Sequence, residues 1–447
     1  MMTHLINRGW NIVVAARIVD EDLANQLDSR VELIHLLKEP LPTKVRRLQI
    51  LLDRVHQMLE HNEGKTKWID AWKEQTRTFR GKIVNLIIQF ISWLISQNPK
   101  IYAKLLKYEQ ALEMEKVSAE WLRIYEKRNI SVVITNTPRS EILHPALIAA
   151  KQLRIPRMLF YHSIKDVSAK GRIIHHFSAI GAWNVWMKTE LVRQNPSTIE
   201  PNAIHVTGCA HFDCVGRDDL FLPENQFRKM IGAKPSSRLL FYPACVHYVA
   251  PDQGRYIWMI VKAIEDGSLP KDLQVVIRTN PMDLTDYFDK QFKGCERVVV
   301  QKAGWRMEPA GDWNFQRRDD MILYNSLLHY SSLCVGIPST VAIECAISCL
   351  PVVNIGFDLA NPQPPRSMKS FWNADFYQEA VRHGVASLGE SEEDLLEKIG
   401  TALVYGKRKP RDYEGFLSGF VGILPHFSEG KYIELVVHLA SLPELSR

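Results

Sequence analysis

The chain has 447 residues, 46% hydrophobic and 24% charged, with 23 Gly, 23 Pro and a formal net charge of +6. That length exceeds one ordinary core and points to two or three domains, and the composition excludes a disordered, collagen-like or low-complexity chain. The mild positive charge is spread along the sequence, which argues against a nucleic-acid partner but suits anionic substrates or an anionic membrane surface.

Residues 3–9 read as the end of a helix and residues 10–16 (WNIVVAA) as a strand. A doubly wound domain usually opens with a strand and a Gly-rich turn before its first helix. Here both are absent: either the start is truncated or misassigned, or this domain lacks its first strand. The start MMTHLINRGW has no apolar core of a signal peptide. Seven scattered Cys, with no CxxC spacing, fit reduced thiols in a cytoplasmic protein.

A helical insert is expected over about 40–129. VRRLQILLDRVHQMLEH has apolar residues at helical spacing, with Arg46, Arg47 and Arg54 on the other side. Residues 82–97 (KIVNLIIQFISWLISQ) form the most apolar helix, shorter than the roughly 20 residues a bilayer span needs. The expectation is a buried core helix, with Trp93 against the helix of residues 45–60. The other reading is a helix lying on an anionic membrane, among Arg77, Arg80, Lys82, Lys100, Lys104 and Lys107.

From Ile130 strands and helices alternate. ISVVITN, PRMLFYH, GAWNVW and AIHVTG read as strands, and HPALIAAKQL as a helix. A boundary falls near residues 218–223. A second unit follows with strands RLLFYPA, LQVVIRT, RVVVQ, LCVG and PVVNI, and helices over 254–265 and 319–332. Residues 405–428 read as a crossover and GKYIELVVHLA as a last helix. The expected fold is α/β, with two doubly wound, Rossmann-like domains over 1–221 and 222–428 and a terminal helix over 429–447. Two such domains should leave a cleft facing the carboxyl ends of both sheets.

Polar clusters fall at strand ends. After PRMLFY comes a basic, hydroxyl-rich loop holding His162, Ser163, Lys165 and Asp166. After AIHV come Gly208, which permits a sharp turn or close approach of a ligand, and Asp213, a polar partner or a helix cap. After RLLFY comes PACVHY, and after LQVVI come Arg278, Thr279 and Asn280; a guanidinium fork suits phosphate. The most informative segment is GIPSTVAIECAISCLPVVNIGFD, residues 336–358. Ser339 and Thr340 stand where a helix N-cap belongs, at a helix start whose N–H groups suit a phosphate. Glu344, four residues past Thr340, is placed to take two ribose hydroxyls. An ordinary capped helix with a solvated Glu344 is the plainer reading. Cys345 and Cys349 read as small apolar packing residues.

These segments resemble the GT-B superfamily of nucleotide-sugar glycosyltransferases, in particular bacterial surface-polysaccharide enzymes and the glycerophosphotransferases that use CDP-glycerol. The resemblance runs over roughly 130–360. HSIKDVSAKG is similar to a family loop written SWDNLSSKG, and VTGCAHFD to VTGNPRFD. VVIRTNP is similar to a strand ending in Arg-Pro-His-Pro, and LCVGIPSTVAIECAISCLPVVNIGFD to the donor-binding strand, Ser-Thr turn, Glu helix and Pro-Val-Ile strand. Ile164-Lys165 replace Trp-Asp of the family loop, and Thr279-Asn280 replace Pro-His.

The resemblance implies that Ser339 and Thr340 meet the donor pyrophosphate, that Glu344 contacts its ribose or sugar, and that Arg278 lies near the phosphates. Gly208 joins this donor set. His162, Ser163, Lys165 and Asp166 face the acceptor, with His162 or Asp166 as base. It implies transfer of a sugar from a nucleotide-diphosphate donor to a cell-surface polysaccharide or lipid-linked acceptor, with no metal and no cofactor, in the cytoplasm or at the inner face of the cytoplasmic membrane. A nucleotide-sugar 2-epimerase-like enzyme and a non-catalytic scaffold of a polysaccharide assembly machine are the other readings.

Overall fold

A computed structural model of the chain describes residues 1–17, 19–37, 39, 41–61, 79–114, 117–137, 141–161, 163–164, 166–167, 172–195, 198–247, 250–307, 314–359, 367–374, 377–421 and 428–442. The chain divides into two compact units, one of residues 1–210 with 422–447, the other of residues 211–421. The sequence had suggested a boundary about eleven residues later, after residue 221, and a terminal helix standing by itself.

In the first unit, β1 (Val13–Ala16) pairs in parallel with β2 (Glu32–His35), a strand not expected from the sequence. A separate parallel sheet runs in the order β3 (Val133–Thr135), β4 (Arg157–Phe160), β5 (Ala179–Ala182), β6 (Ile204–Val206). The expected strand GAWNVW splits in two. Its first residues end β5. Asn184 then accepts a 2.8 Å bond from the Met187 N–H and caps helix Val185–Gln194. The last helix, Ser428–Ser441, packs Tyr432, Ile433, Val436 and Leu439 against Leu5, Met158 and Ala179. Tyr432 leaves no room for a side chain at Gly181: an added Cβ there would lie 2.5 Å from its ring.

The insert contains helices Thr43–His61, Phe79–Ser96, Pro99–Met114 and Ala119–Lys127. Arg172, 4% exposed, binds both oxygens of Glu109 at 2.7 and 2.5 Å, and its Nε lies 3.2 Å from Asp53. Glu109 and Asp53 belong to two different insert helices, so one buried cation ties both to the α/β part. Helix Phe79–Ser96 corrects the expectation of a buried core helix. Trp93 is 51% exposed, with Phe90 at 61% and Leu94 at 48%, while Ser92 is fully buried. No described helix is long and apolar enough to cross a membrane.

The second unit holds one fully parallel six-stranded sheet. Its strands are β7 (Arg238–Pro243), β8 (Leu273–Arg278), β9 (Val298–Gln301), β12 (Ser331–Gly336), β13 (Val352–Ile355) and β14 (Ala386–Gly389); a small antiparallel hairpin of β10 (Trp305–Met307) and β11 (Asn314–Gln316) stands apart. Apolar runs such as Val275-Val276-Ile277 in β8, every residue of which is buried, make strands covered on both faces, as a parallel sheet flanked by helices requires. The order is β14-β13-β12-β7-β8-β9. From β7 the chain builds outward one way through β8 and β9, then returns to β12 and builds the other way. This is the doubly wound order, and its switch point lies between β7 and β12, where open α/β sheets bind ligands at the carboxyl ends of their strands. The fold class is therefore α/β with two Rossmann-like units, as expected.

Candidate functional site

The Ser-Thr turn leaves β12 at the switch point. Gly336, the last residue of β12, abuts Pro243, the last of β7, with only 3.3 Å between the Pro243 ring and any added Cβ. Below the turn, the Asn354 amide donates to Gly336 O at 3.1 Å and accepts a 2.5 Å bond from the Tyr377 hydroxyl, so the floor is satisfied and fixed. Ser339 and Thr340 are half-buried. Thr340 is the N-cap of helix Val341–Ile347, as expected, but its side chain makes no capping bond and its backbone is helical at φ −61°, ψ −13°. A hydroxyl not engaged in capping is available to another acceptor.

Glu344 is neither solvated nor vacant. It is 8% exposed. The Tyr324 hydroxyl donates to its Oε2 at 2.6 Å, and His211 Nε2 lies 3.0 Å from its Oε1. Burial holds the Tyr324 hydroxyl well above its ordinary pKa, and the neighbouring Glu344 charge adds to this, so Tyr324 stays a proton donor. For His211, burial works against the charged form, but the hydrogen bond and charge of Glu344 outweigh it and raise the pKa. The His211 side chain is still 44% exposed.

Arg278 is part of the same construction. Its Nη2 bonds Asp320 Oδ2 at 2.6 Å, and Nη1 bonds Gln301 Oε1 and, at 3.3 Å, Lys302 O. Asp320 also accepts from Gly304 N at 2.7 Å and Gln316 Nε2 at 3.1 Å. The guanidinium carbon lies 5.5 Å over the Tyr324 ring. Arg278, Tyr324, Glu344 and His211 thus form one continuous row. The loop after β7 is pinned by fully buried Gln253, whose side chain bonds Cys245 N, Cys245 O and Ala250 O at 2.6–2.9 Å. His247 in that loop lies against Tyr287, the rings tilted with centroids 4.2 Å apart, and its buried Nδ1 has no hydrogen-bond partner among the described residues.

In the first unit, Gly208 has the sharp turn expected, at φ +75°, and its carbonyl accepts 3.0 Å from the Tyr432 hydroxyl. Asp166 is 3% exposed, and its N–H donates to Ser163 O at 3.1 Å; Ser163 is half-buried. His162 and Lys165 lie outside the described residues. Among the described residues no group of three His, Cys, Asp or Glu could hold a metal ion.

Sequence reasoning did not single out His211, Tyr324 or Asp320. The signal for His211 was present: in VTGCAHFD it occupies the position of the family's Arg, a cationic site. Tyr324 and Asp320 carried no such signal, since both stand in an ordinary amphipathic helix, Arg318–Tyr330.

No family model matches the sequence, and no curated protein matches it. Solved structures do match. A glycosyltransferase from Rickettsia africae ESF-5 aligns at a TM-score of 0.49 and 11% identity over 98% of this chain and 93% of that one. The UDP-GlcNAc 2-epimerase from Methanocaldococcus jannaschii aligns at 0.47 and 15%, over 74% and 82%. That from Neisseria meningitidis, bound to UDP-GlcNAc, aligns at 0.45 and 13%, over 74% and 82%. At these scores and identities the fold class rests on this chain's own strand order.

Proposed function

We propose that this protein is a GT-B-type glycosyltransferase of the cytoplasm that moves a sugar from a nucleotide-diphosphate donor to a saccharide or lipid-linked acceptor of the cell surface. The observation that carries the reading is the placement of the Ser339-Thr340 turn at the switch point of the second unit's sheet, one helical turn before a buried, doubly held carboxylate. The turn's hydroxyls and backbone N–H groups would bind the diphosphate. Glu344, oriented by Tyr324, would accept from ribose hydroxyls, with His211 turning outward to make room. An outward imidazolium then stands beside the leaving diphosphate and stabilises its charge. Arg278 is a positioning residue in this scheme, holding Tyr324 and the β8 end in place.

In the transfer step the bond between the sugar's anomeric carbon and the diphosphate oxygen breaks, and the diphosphate leaves with the electron pair. The acceptor oxygen forms the new bond, and its proton passes to a base, assigned to His162 or Asp166 of the loop after β4. Ser163 and Lys165 are assigned to the acceptor, and Gly208 to the donor through its open turn. No metal is required by this scheme.

Calorimetry with a panel of nucleoside diphosphates tests the donor site. Glu344→Ala should weaken the bound nucleotide ten- to hundredfold, the loss of one charge-assisted hydrogen bond of about 1.5–3 kcal/mol. Unchanged affinity in a folded variant removes Glu344 from the site. Release of nucleoside diphosphate only when acceptor is added supports transfer. Isomerised sugar without acceptor points instead to a 2-epimerase-like reaction, and binding with no turnover to a scaffold.

A further inference from the structure

Helix Phe79–Ser96 presents a face that the fold of its own unit leaves exposed. Ile83, Leu86, Ile87, Phe90, Ile91, Trp93 and Leu94 are each 40–64% exposed. Their spacing of three and four places them on one side of the helix, and fully buried Ser92 marks the opposite side, toward the protein. A contiguous row of this kind is unusual on a solvated surface and marks an interaction site. Phe90 and Trp93 stack at 6.2 Å between ring centroids, so the aromatic part is preformed.

The chemistry next to this row says what covers it. The following helix, Pro99–Met114, exposes Lys100, Lys104 and Lys107 at spacing that puts them on one face, with exposed Ile101 and Tyr108 beside them. Glu109, one of two acidic residues of that helix, points the other way, buried on Arg172. An apolar, aromatic-bearing row flanked by lysines matches a lipid surface with anionic headgroups. The Arg172 clamp to Glu109 and Asp53 fixes the lysine-bearing helix Pro99–Met114, together with helix Thr43–His61, to the α/β core.

We propose that this face lies flat on an anionic bilayer, with Phe90, Trp93 and Leu94 in the headgroup–acyl boundary and Lys100, Lys104 and Lys107 against the headgroups. The attachment is peripheral, because the helix is not long and apolar enough to cross. It does not depend on the transferase reading, since a scaffold or an epimerase with this insert would dock in the same way.

The test is flotation of the full-length protein with phosphatidylglycerol vesicles, with phosphatidylcholine vesicles as the neutral control. Co-flotation at low salt should fall steeply toward 1 M salt, where the screening length is about 3 Å. Lys100→Gln/Lys104→Gln/Lys107→Gln should weaken the partition by about a hundredfold. Phe90→Ser/Leu94→Ser should abolish it while the melting profile stays that of the parent. Absence of co-flotation at low salt overturns the proposal. So does equal flotation of parent and both variants, or a parent dimer in analytical ultracentrifugation that the Phe90→Ser/Leu94→Ser change dissociates, which makes the face a self-interface.

Discussion

Glu344 is a carboxylate held out of water by a phenol and an imidazole, and only the imidazole can answer it with charge. Because Glu344 raises the pKa of His211, this contact stabilises the second unit fully below the unfolded histidine value of about 6.5 and loses that contribution as pH rises through the folded value. His175 in the first unit works with the opposite sign. It is 4% exposed, its Nε2 lies 2.5 Å from His144 Nδ1, and burial with the His144 charge depresses its pKa. Its contribution is present above about pH 6.5 and is lost as pH falls. His211→Gln should therefore flatten the decline in melting temperature between pH 6.5 and 8.5, leaving the acid-side decline unchanged. Scanning calorimetry across pH 5–9 reads both, and an unaltered alkaline decline would assign it to other groups. The sequence exposed half of this chemistry. Ser339, Thr340 and Glu344 form a local pattern along one turn and helix. The partner of Glu344 comes from 133 positions away, and local spacing has no access to such a contact. Arg278 was read as a phosphate ligand because its type and strand-end position suit one; Asp320, which takes its guanidinium, lies 42 positions further on.

At the scale of elements, the second unit's sheet was legible because its strands are short apolar runs bounded by Gly and Pro, the pattern a doubly covered parallel strand must have. The first unit was harder. Three-residue strands such as β3 and β6 carry little pattern, and Asn184 turned the end of an apparent strand into a helix cap. Helix Phe79–Ser96 was misread for a different reason. An apolar helix has the same composition whether it faces a core or an interface, and among its described side chains buried Ser92 records which side is inward. Two contacts make this level testable. Gly181→Ala drives a methyl into Tyr432 and should cost about 1–3 kcal/mol in denaturant titrations; a stable, unshifted variant would mean that the last helix gives way freely. Arg172→Ala leaves Glu109 buried without its cation and should cost about 3–5 kcal/mol, whereas a hydrophobic replacement of the whole pair should cost far less. Equal losses in the two variants would deny the clamp its electrostatic character.

For the whole molecule, the decisive fact is that the first unit is not continuous in sequence: residues 422–447 return to it after the second unit is complete. Tyr432, Ile433, Val436 and Leu439 supply part of its core. Truncation after residue 427 should unfold the first unit while leaving residues 211–421 resistant to limited proteolysis, with the surviving fragment read by mass spectrometry. Survival of both units would show that the last helix is a dispensable cover. During synthesis the same arrangement imposes an order. A ribosome delivering roughly 5–20 residues per second keeps the first 210 residues waiting about 10–40 s while the second unit emerges. The second unit, contiguous in sequence, can close as it leaves the ribosome, but the first can close only after the helix Ser428–Ser441 has emerged. Through that interval a nascent chain carries an unsealed sheet, and it is the stage at which this protein most needs a chaperone.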